Sequence, residues 1–453
     1  MPMARIYRKG IPFTLLLTVI GVLLFVFIRD ENSSPPTASI PNGSQEPVTI
    51  TFYPYYMDEL GRWDLVVREF ERRYPHIRVQ VVPVYEKSNN PDEAMKQLDF
   101  LAATGREMDV VLLSSAQQYA KRAAIGMLEP LNRYIAGENL DVTREYKIDP
   151  SIDGTYYALP GRYYEWLTVL NAAHLEEAGL SVPTDWTWDD YLEYARRLTI
   201  SKGVYRRYGT FFQMDDFYSF WLFGGPDPYL LKSDGSSNLL NPAVAESLRT
   251  RYRAEVEDRS ATPYAYTLSQ KIEARPHYFN QAVSMLITRS WFALETGGTA
   301  LYPATFKTVF APLPKAANGG QAGSTTAGAD FLGISAKSRH KPEAYHFIRW
   351  YSTEGIAIQS SFLSSWRMPD MKMSVRSITE SARHPELIDT ASLIRVLDRS
   401  KPVFPFIPKP YLYDVEGVFS EEAGLYLLQH QDLQATLMNG ERKAENIIRV
   451  NAQ

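Results

Sequence analysis

Cysteine is absent from all 453 residues, which excludes disulfides, thiolate nucleophiles, cysteine metal sites and lipid attachment through cysteine. Histidine is scarce: the seven present show no H-E-x-x-H or other ligand spacing, and His340 and His346 read as the surface of one helix. Basic charge is not in excess either. Lys and Arg number 48 against 52 Asp and Glu, a net charge of -4, which argues against a nucleic-acid partner, since that would favour a basic face. No G-x-S-x-G elbow, P-loop or dinucleotide fingerprint occurs, and the glycine-rich stretch 317–329 lacks phosphate-loop spacing. The adjacent acids Asp215-Asp216 and Glu421-Glu422 fit solvated faces better than the separated carboxylates of a glycosidase. The expectation is a chain that is not an enzyme and that uses no metal or cofactor.

What is present points to a large folded body. Apolar residues make up 45% and charged residues 22%, the balance of a globular protein, and the length calls for two lobes rather than one core. Near the N-terminus, Arg5, Arg8 and Lys9 precede an uncharged run from Ile11 through Ile28, closed by Arg29. Eighteen helical residues span about 27 Å, close to the hydrocarbon thickness of a bilayer. The cationic flank favours a cytoplasmic N-terminus and places everything after Asp30 outside. The competing reading is a cleaved signal peptide, but the apolar run exceeds the usual length and no small-x-small site follows closely. An anchor over 11–28 is therefore expected, followed by a proline-rich polar linker over 30–47.

The folded part opens with VTITFYPYY, an alternating strand that ends in Tyr53, Tyr55 and Tyr56. A helix capped by Asp58 should follow, with Leu60, Trp63, Val66, Val67, Phe70 and Tyr74 on one face. Residues 77–84 read as a second strand, and Asn90-Pro91-Asp92-Glu93 as a helix start: cap, proline in the first turn, acids for the dipole. DVVLLSS (109–115) is a continuous apolar run, as a strand buried on both faces requires. Strand–helix–strand–helix–strand predicts a parallel α/β sheet with right-handed crossovers. Thr187 with Asp190 forms a capping box. Further strands are expected within 306–314 and 328–335, and a helix over 341–353.

The order of several segments resembles family 1 of the bacterial extracellular solute-binding proteins, partners of ATP-binding-cassette (ABC) importers. The carriers are REFERRYPHIRVQVV (68–82), FLAATGREMDVVLLSS (100–115), AIGMLEPLNRYI (124–135), the long stretch 152–198 with its Asp-Gly, Leu-Pro, Ala-Gly-Leu and Thr-Trp-x-Asp, then FNQAVSMLITRSW (279–291) and GADFLGISAKSRHKPEAYHFIRW (328–350). Two positions depart from the pattern: Met108 stands where proline is usual, and Arg289 where glycine is usual. The tail beyond Trp366 departs most. The resemblance implies a two-lobe, periplasmic-binding-protein-like (type II) α/β fold with a hinge. Lobe one would comprise 48–155 with 313–355 and lobe two 156–312 with 356–453, with crossings near 155, 312 and 355. It also implies a carbohydrate ligand, ABC permease subunits as partners, and a place on the extracytoplasmic face of the membrane. A membrane-tethered sensing ectodomain of the same fold is the alternative.

A sugar presents C–H patches beside hydroxyls, so its site wants aromatic faces edged by polar groups. Tyr53, Tyr55, Tyr56, Ser114 and Ser115 lie at the carboxyl ends of strands, where open α/β sheets bind ligands. The resemblance adds Trp291, whose matching family position commonly stacks on a sugar ring. Trp221 is a further aromatic candidate, Arg162, Tyr163 and Asp330 are candidates at the hinge strands, and Trp366, Arg367 and Tyr411 come from the tail. Arg162, Arg289 and Arg367 raise the further expectation of an acidic sugar. Against each stands the plainer reading of a core aromatic or a solvated charge.

Overall fold

The computed structural model describes residues 47–57, 59–84, 90–203, 205–212, 215–222, 227, 229–315, 321–405 and 409–451. The expected anchor at 11–28 and the linker, up to residue 46, lie outside them, as does the expected cap Asp58. Among the described residues no helix is long and apolar enough to cross a membrane.

Strand β1 (Val48–Tyr53) leads to α1 (Trp63–Arg73), which buries Trp63, Val66 and Phe70. This helix starts later than expected: Arg62, with φ of 44°, is its N-cap and supplies no side-chain cap. Strand β2 (Ile77–Val81) precedes α2 (Pro91–Ala103), which Asn90 caps by accepting from the amides of Asp92 and Glu93 at 3.0 and 3.3 Å. Strand β3 (Val110–Leu113) is buried at every residue, and Ser115 caps α3 (Ala116–Ala124).

The long β4 (Ala158–Asn171) runs into α4 (Ala172–Glu177). Helix α5 (Trp188–Leu198) carries the expected Thr187–Asp190 capping box. Then come β5 (Ile200–Lys202), β6 (Tyr205–Phe211), α6 (Pro242–Tyr252), α7 (Ala274–Phe279), β7 (Val283–Arg289) and the single turn α8 (Phe292–Glu295). Further along the chain lie β8 (Thr308–Ala311), β9 (Ser324–Ile334), α9 (Lys341–Trp350), β10 (Leu363–Ser364), α10 (Thr390–Arg399), β11 (Lys401–Val403), α11 (Leu412–Leu427) and α12 (Leu433–Asn451).

These strands assemble in the order β2-β1-β3-β9-β4-β7-β6-β5, with β8 and β10 on β4 and β11 on β9. The pairs β1–β2 and β1–β3 are parallel, as crossover helices demand. The sheet is nonetheless mixed rather than all parallel: β9 joins β3 antiparallel, and β4 joins β9, β7 and β8 antiparallel. The difference arises because β9 and β4 are not crossover strands of the opening units. They carry the chain between two halves.

The result is a two-lobe α/β fold. In one lobe α1, α3 and α9 cover the β2-β1-β3-β9 sheet; in the other α5, α7 and α10 cover strands β6, β7 and β8, and α6, α11 and α12 form a helical flank. Strand β4 serves both, because Glu165 is its last residue paired with β9 and Trp166 its first paired with β7.

Two histidines are buried in the second lobe. His174 faces Ser284 at 3.1 Å and His277 faces Thr262 at 2.8 Å. Burial, joined at His174 by the Arg207 charge, pushes each imidazole down to about 4. The folded form keeps them neutral while the unfolded chain takes up protons below about pH 6.5, so stability is full above that value and is lost as pH falls toward 4. Each should contribute up to about 1.4 kcal/mol per pH unit in that window. Urea unfolding of His277→Gln between pH 7 and 4 should show a slope shallower by about one proton; an unchanged slope would mean that His277 is already solvated.

Candidate functional site

Where β4 meets β9, an extra residue enters β4. Pairing shifts register between Pro160 and Tyr163, so that Gly161 and Arg162 together oppose Asp330. The bulge turns the Arg162 guanidinium onto the fully buried Asp330: Nε lies 2.9 Å from Oδ2 and Nη2 lies 3.2 Å from Oδ1. Tyr55 donates its hydroxyl to the same carboxylate at 3.0 Å and also accepts from Arg162. Burial opposes the charge on Arg162, yet Asp330, Tyr55 and Tyr56 outweigh it and hold the guanidinium well above its ordinary value. Burial lifts the Asp330 carboxyl while Arg162 pulls it back.

Above this pair opens a cleft of about 610 Å³ between the lobes. The first lobe contributes Tyr55 and Tyr56 after β1, Ser114 and Ser115 after β3, Gln117 and Gln118 from the start of α3, and Asp92 from α2. The second lobe contributes Arg275, Arg289, Trp291, Glu295, Tyr218 and a stripe of α11 made of Tyr413, Glu416, Gly417 and Ser420. Arg162, Tyr164 and Phe362 line the floor. The Arg162 guanidinium lies 4.6 Å from the Phe362 ring centre, 5.0 Å from that of Tyr56 and 6.0 Å from that of Trp291. One buried cation thus gathers the aromatic lining. Tyr164 keeps its place because residue 328 is glycine, where a Cβ would stand 2.4 Å from the tyrosine ring. Gln117 donates to the hydroxyl of Tyr229, which packs against the helical flank of the second lobe, at 3.3 Å and so links the two lobes. Such a site can stack rings and exchange hydrogen bonds with hydroxyls.

Of the residues singled out in the sequence, Tyr55, Tyr56, Ser114, Ser115, Arg162, Arg289 and Trp291 line this cleft. The others lie elsewhere. Asp330 is beneath the floor, fully buried and engaged by Arg162 and Tyr55. Tyr53 is inside the core, its hydroxyl 3.4 Å from the Glu107 carbonyl. Tyr163 takes the face of β4 opposite to Arg162, donates to Glu165 at 2.8 Å and carries Lys147 over its ring. Trp221 stacks on Trp188 at 4.1 Å beside a separate hollow of about 480 Å³. Trp366 bridges to Tyr146, Arg367 donates to the Tyr146 carbonyl at 2.9 Å, and Tyr411 is buried in the helical flank with its hydroxyl toward Gly235. The α11 stripe was missed although its spacing of i, i+3, i+4, i+7 is legible; Tyr164, two residues past Arg162 on the same strand face, was missed likewise.

The fold and its inter-lobe cleft define a ligand-binding protein of the two-lobe type. The chain belongs to the bacterial extracellular solute-binding proteins, whose family model matches residues 54–358. Solved structures with a similar fold include an ABC substrate-binding protein of Listeria monocytogenes in complex with cycloalternan (20% identity, 88% of this chain and 99% of that one, TM-score 0.73). Two more are a maltose-bound MalE of T. maritima (19%, 88% and 100%, TM-score 0.67) and UgpB of Mycobacterium tuberculosis in complex with glycerophosphocholine (18%, 91% and 100%, TM-score 0.69).

Removing one partner of a buried ion pair strands the other charge, which costs about 3–5 kcal/mol, whereas replacing both with apolar groups costs far less. Urea denaturation of Asp330→Ala should show a loss of that size, and Arg162→Met/Asp330→Leu a smaller one. A single-variant loss below about 1 kcal/mol would mean that water already reaches the pair.

Proposed function

We propose that the protein captures a carbohydrate between its lobes on the extracytoplasmic face of the membrane and delivers it to the permease of an ABC importer. The observation that carries this reading is the cleft itself, with aromatic rings from both lobes (Tyr55, Tyr56, Trp291, Tyr413) edged by serine and glutamine side chains. Membership in the extracellular solute-binding family supports it, as do relatives of like fold solved with cycloalternan and maltose. Binding rather than conversion is the proposed role.

In this reading Trp291 and Tyr164 stack on sugar rings, and Ser114, Ser115 and Gln117 meet their hydroxyls. The lobes divide as 48–165 with 313–355 and 166–312 with 356–453; the switch of β4 from β9 to β7 at Glu165–Trp166 supports a first crossing there rather than near 155. Residues 11–28, apolar and cationically flanked, tether the body to the membrane through the 30–47 linker.

A ligand that binds only the native state raises the unfolding midpoint, by about 2.7 kcal/mol of stabilisation at one hundred times Kd. A thermal-shift screen of mono- and oligosaccharides should therefore yield a hit, and Trp291→Ala should weaken that hit by about 1–2 kcal/mol. Small-angle scattering at saturation should give a smaller radius of gyration as the lobes close. Failure of every saccharide to shift the midpoint would overturn the carbohydrate reading.

A further inference from the structure

The cleft lining holds three guanidinium groups, and their charges are not balanced alike. Arg162 is matched by Asp330 at 2.9 Å and Arg275 by Glu295 at 2.6 and 2.9 Å. Among the described residues, Arg289 has no carboxylate within 4.0 Å, and its Nε is buried without a hydrogen-bond partner. The other acids of the lining, Asp92 and Glu416, both act on Tyr413, between α2 and α11, and stand beyond ion-pair distance of Arg289. Asp330 feels the Arg289 charge but is already held by Arg162 and Tyr55.

What holds Arg289 is aromatic. It ends β7 directly opposite Trp166 on β4, and its guanidinium lies 4.1 Å from the Trp166 ring centre and 5.4 Å from that of Tyr164. A stacked guanidinium has its plane fixed and its edge N–H donors still to be satisfied. That edge matches two coplanar oxygens, as in a carboxylate, and closing the cleft strengthens the pairing by excluding water. Of the three guanidinium groups only Arg289 lacks a carboxylate among the described residues, and a single such cation favours a monoanion over a doubly charged phosphate ester.

Resting on the carbohydrate reading above, we propose that Arg289 is the anion-recognition residue of the cleft and that the ligand is a singly charged saccharide bearing a uronate. Isothermal titration of the full chain would use paired neutral and uronic di- and trisaccharides of gluco, galacto and manno configuration, with glycerophosphoglycerol as the monoanionic phosphodiester. The expected result is that, in at least one pair, the uronic member binds tenfold or more tighter than its neutral partner. That preference should weaken as salt is raised, fall at least tenfold in Arg289→Gln, and return in part in Arg289→Lys. Melting of the ligand-free variants establishes that they fold. Neutral members that bind as well as uronic ones, or a preference that survives Arg289→Gln, would overturn this inference and leave the carbohydrate reading standing. Binding of glycerophosphoglycerol alone would overturn the uronate assignment. Binding of no saccharide at all would overturn both readings.

Discussion

The cleft depends on one ion pair. Asp330 is fully buried in β9, and burying a carboxylate without a partner is among the costliest things a fold can do. The β4 bulge brings Arg162 to it, and Tyr55 supplies a third hydrogen-bonding group from the loop after β1. The backbone at Arg162 also pairs with Ser364 of β10. Four separate stretches of chain are thereby fixed at one point, and the rings of Tyr56, Trp291 and Phe362 close over the cation. The lining of the cleft is thus largely a consequence of how the fold shields a charge it has buried.

Elements governed by local rules could be read from the sequence. The Asn90 cap, the Thr187–Asp190 capping box and the four-residue apolar core of β3 each follow from a few neighbouring residues, and each is present. Positions governed by tertiary geometry could not be read in the same way. A proline-free apolar run does not reveal whether its neighbour in the sheet is a crossover strand or a strand returning from another lobe, so the antiparallel β3–β9 pair escaped. Tyr53 and Tyr55 are equally aromatic, yet Tyr53 lies on the last residue of β1 and turns into the core, while Tyr55 stands past the strand and reaches Asp330.

Some misses were avoidable, because periodicity alone decides them. On a strand, Arg162 and Tyr164 share a face and Tyr163 takes the other, so choosing Arg162 with Tyr163 paired residues that could not both face a ligand. On α11, Tyr411 precedes the helix and packs into the flank, whereas Tyr413, Glu416, Gly417 and Ser420 recur at helical spacing along the cleft. Trp221 is a different case. Its stacking on Trp188 depends on how a short helical turn meets α5, for which no local pattern exists.

The same geometry bears on motion. If the lobes rotate about strands that pass between them, the change in backbone angles must fall where ladder hydrogen bonds are already interrupted, since regular pairing resists it. In β4 that place is the bulge at Gly161–Arg162, four residues before the strand changes partners at Trp166. Arg162 is therefore both part of the floor of the cleft and part of the interruption in the β4–β9 ladder. A ligand resting on the Arg162 cluster would touch the hinge as well as the walls, so that filling the cleft and setting the angle between the lobes would be one event rather than two coupled ones. The Asp330 carboxylate, out of reach of any ligand, would then act as the fixed point about which that event is organised.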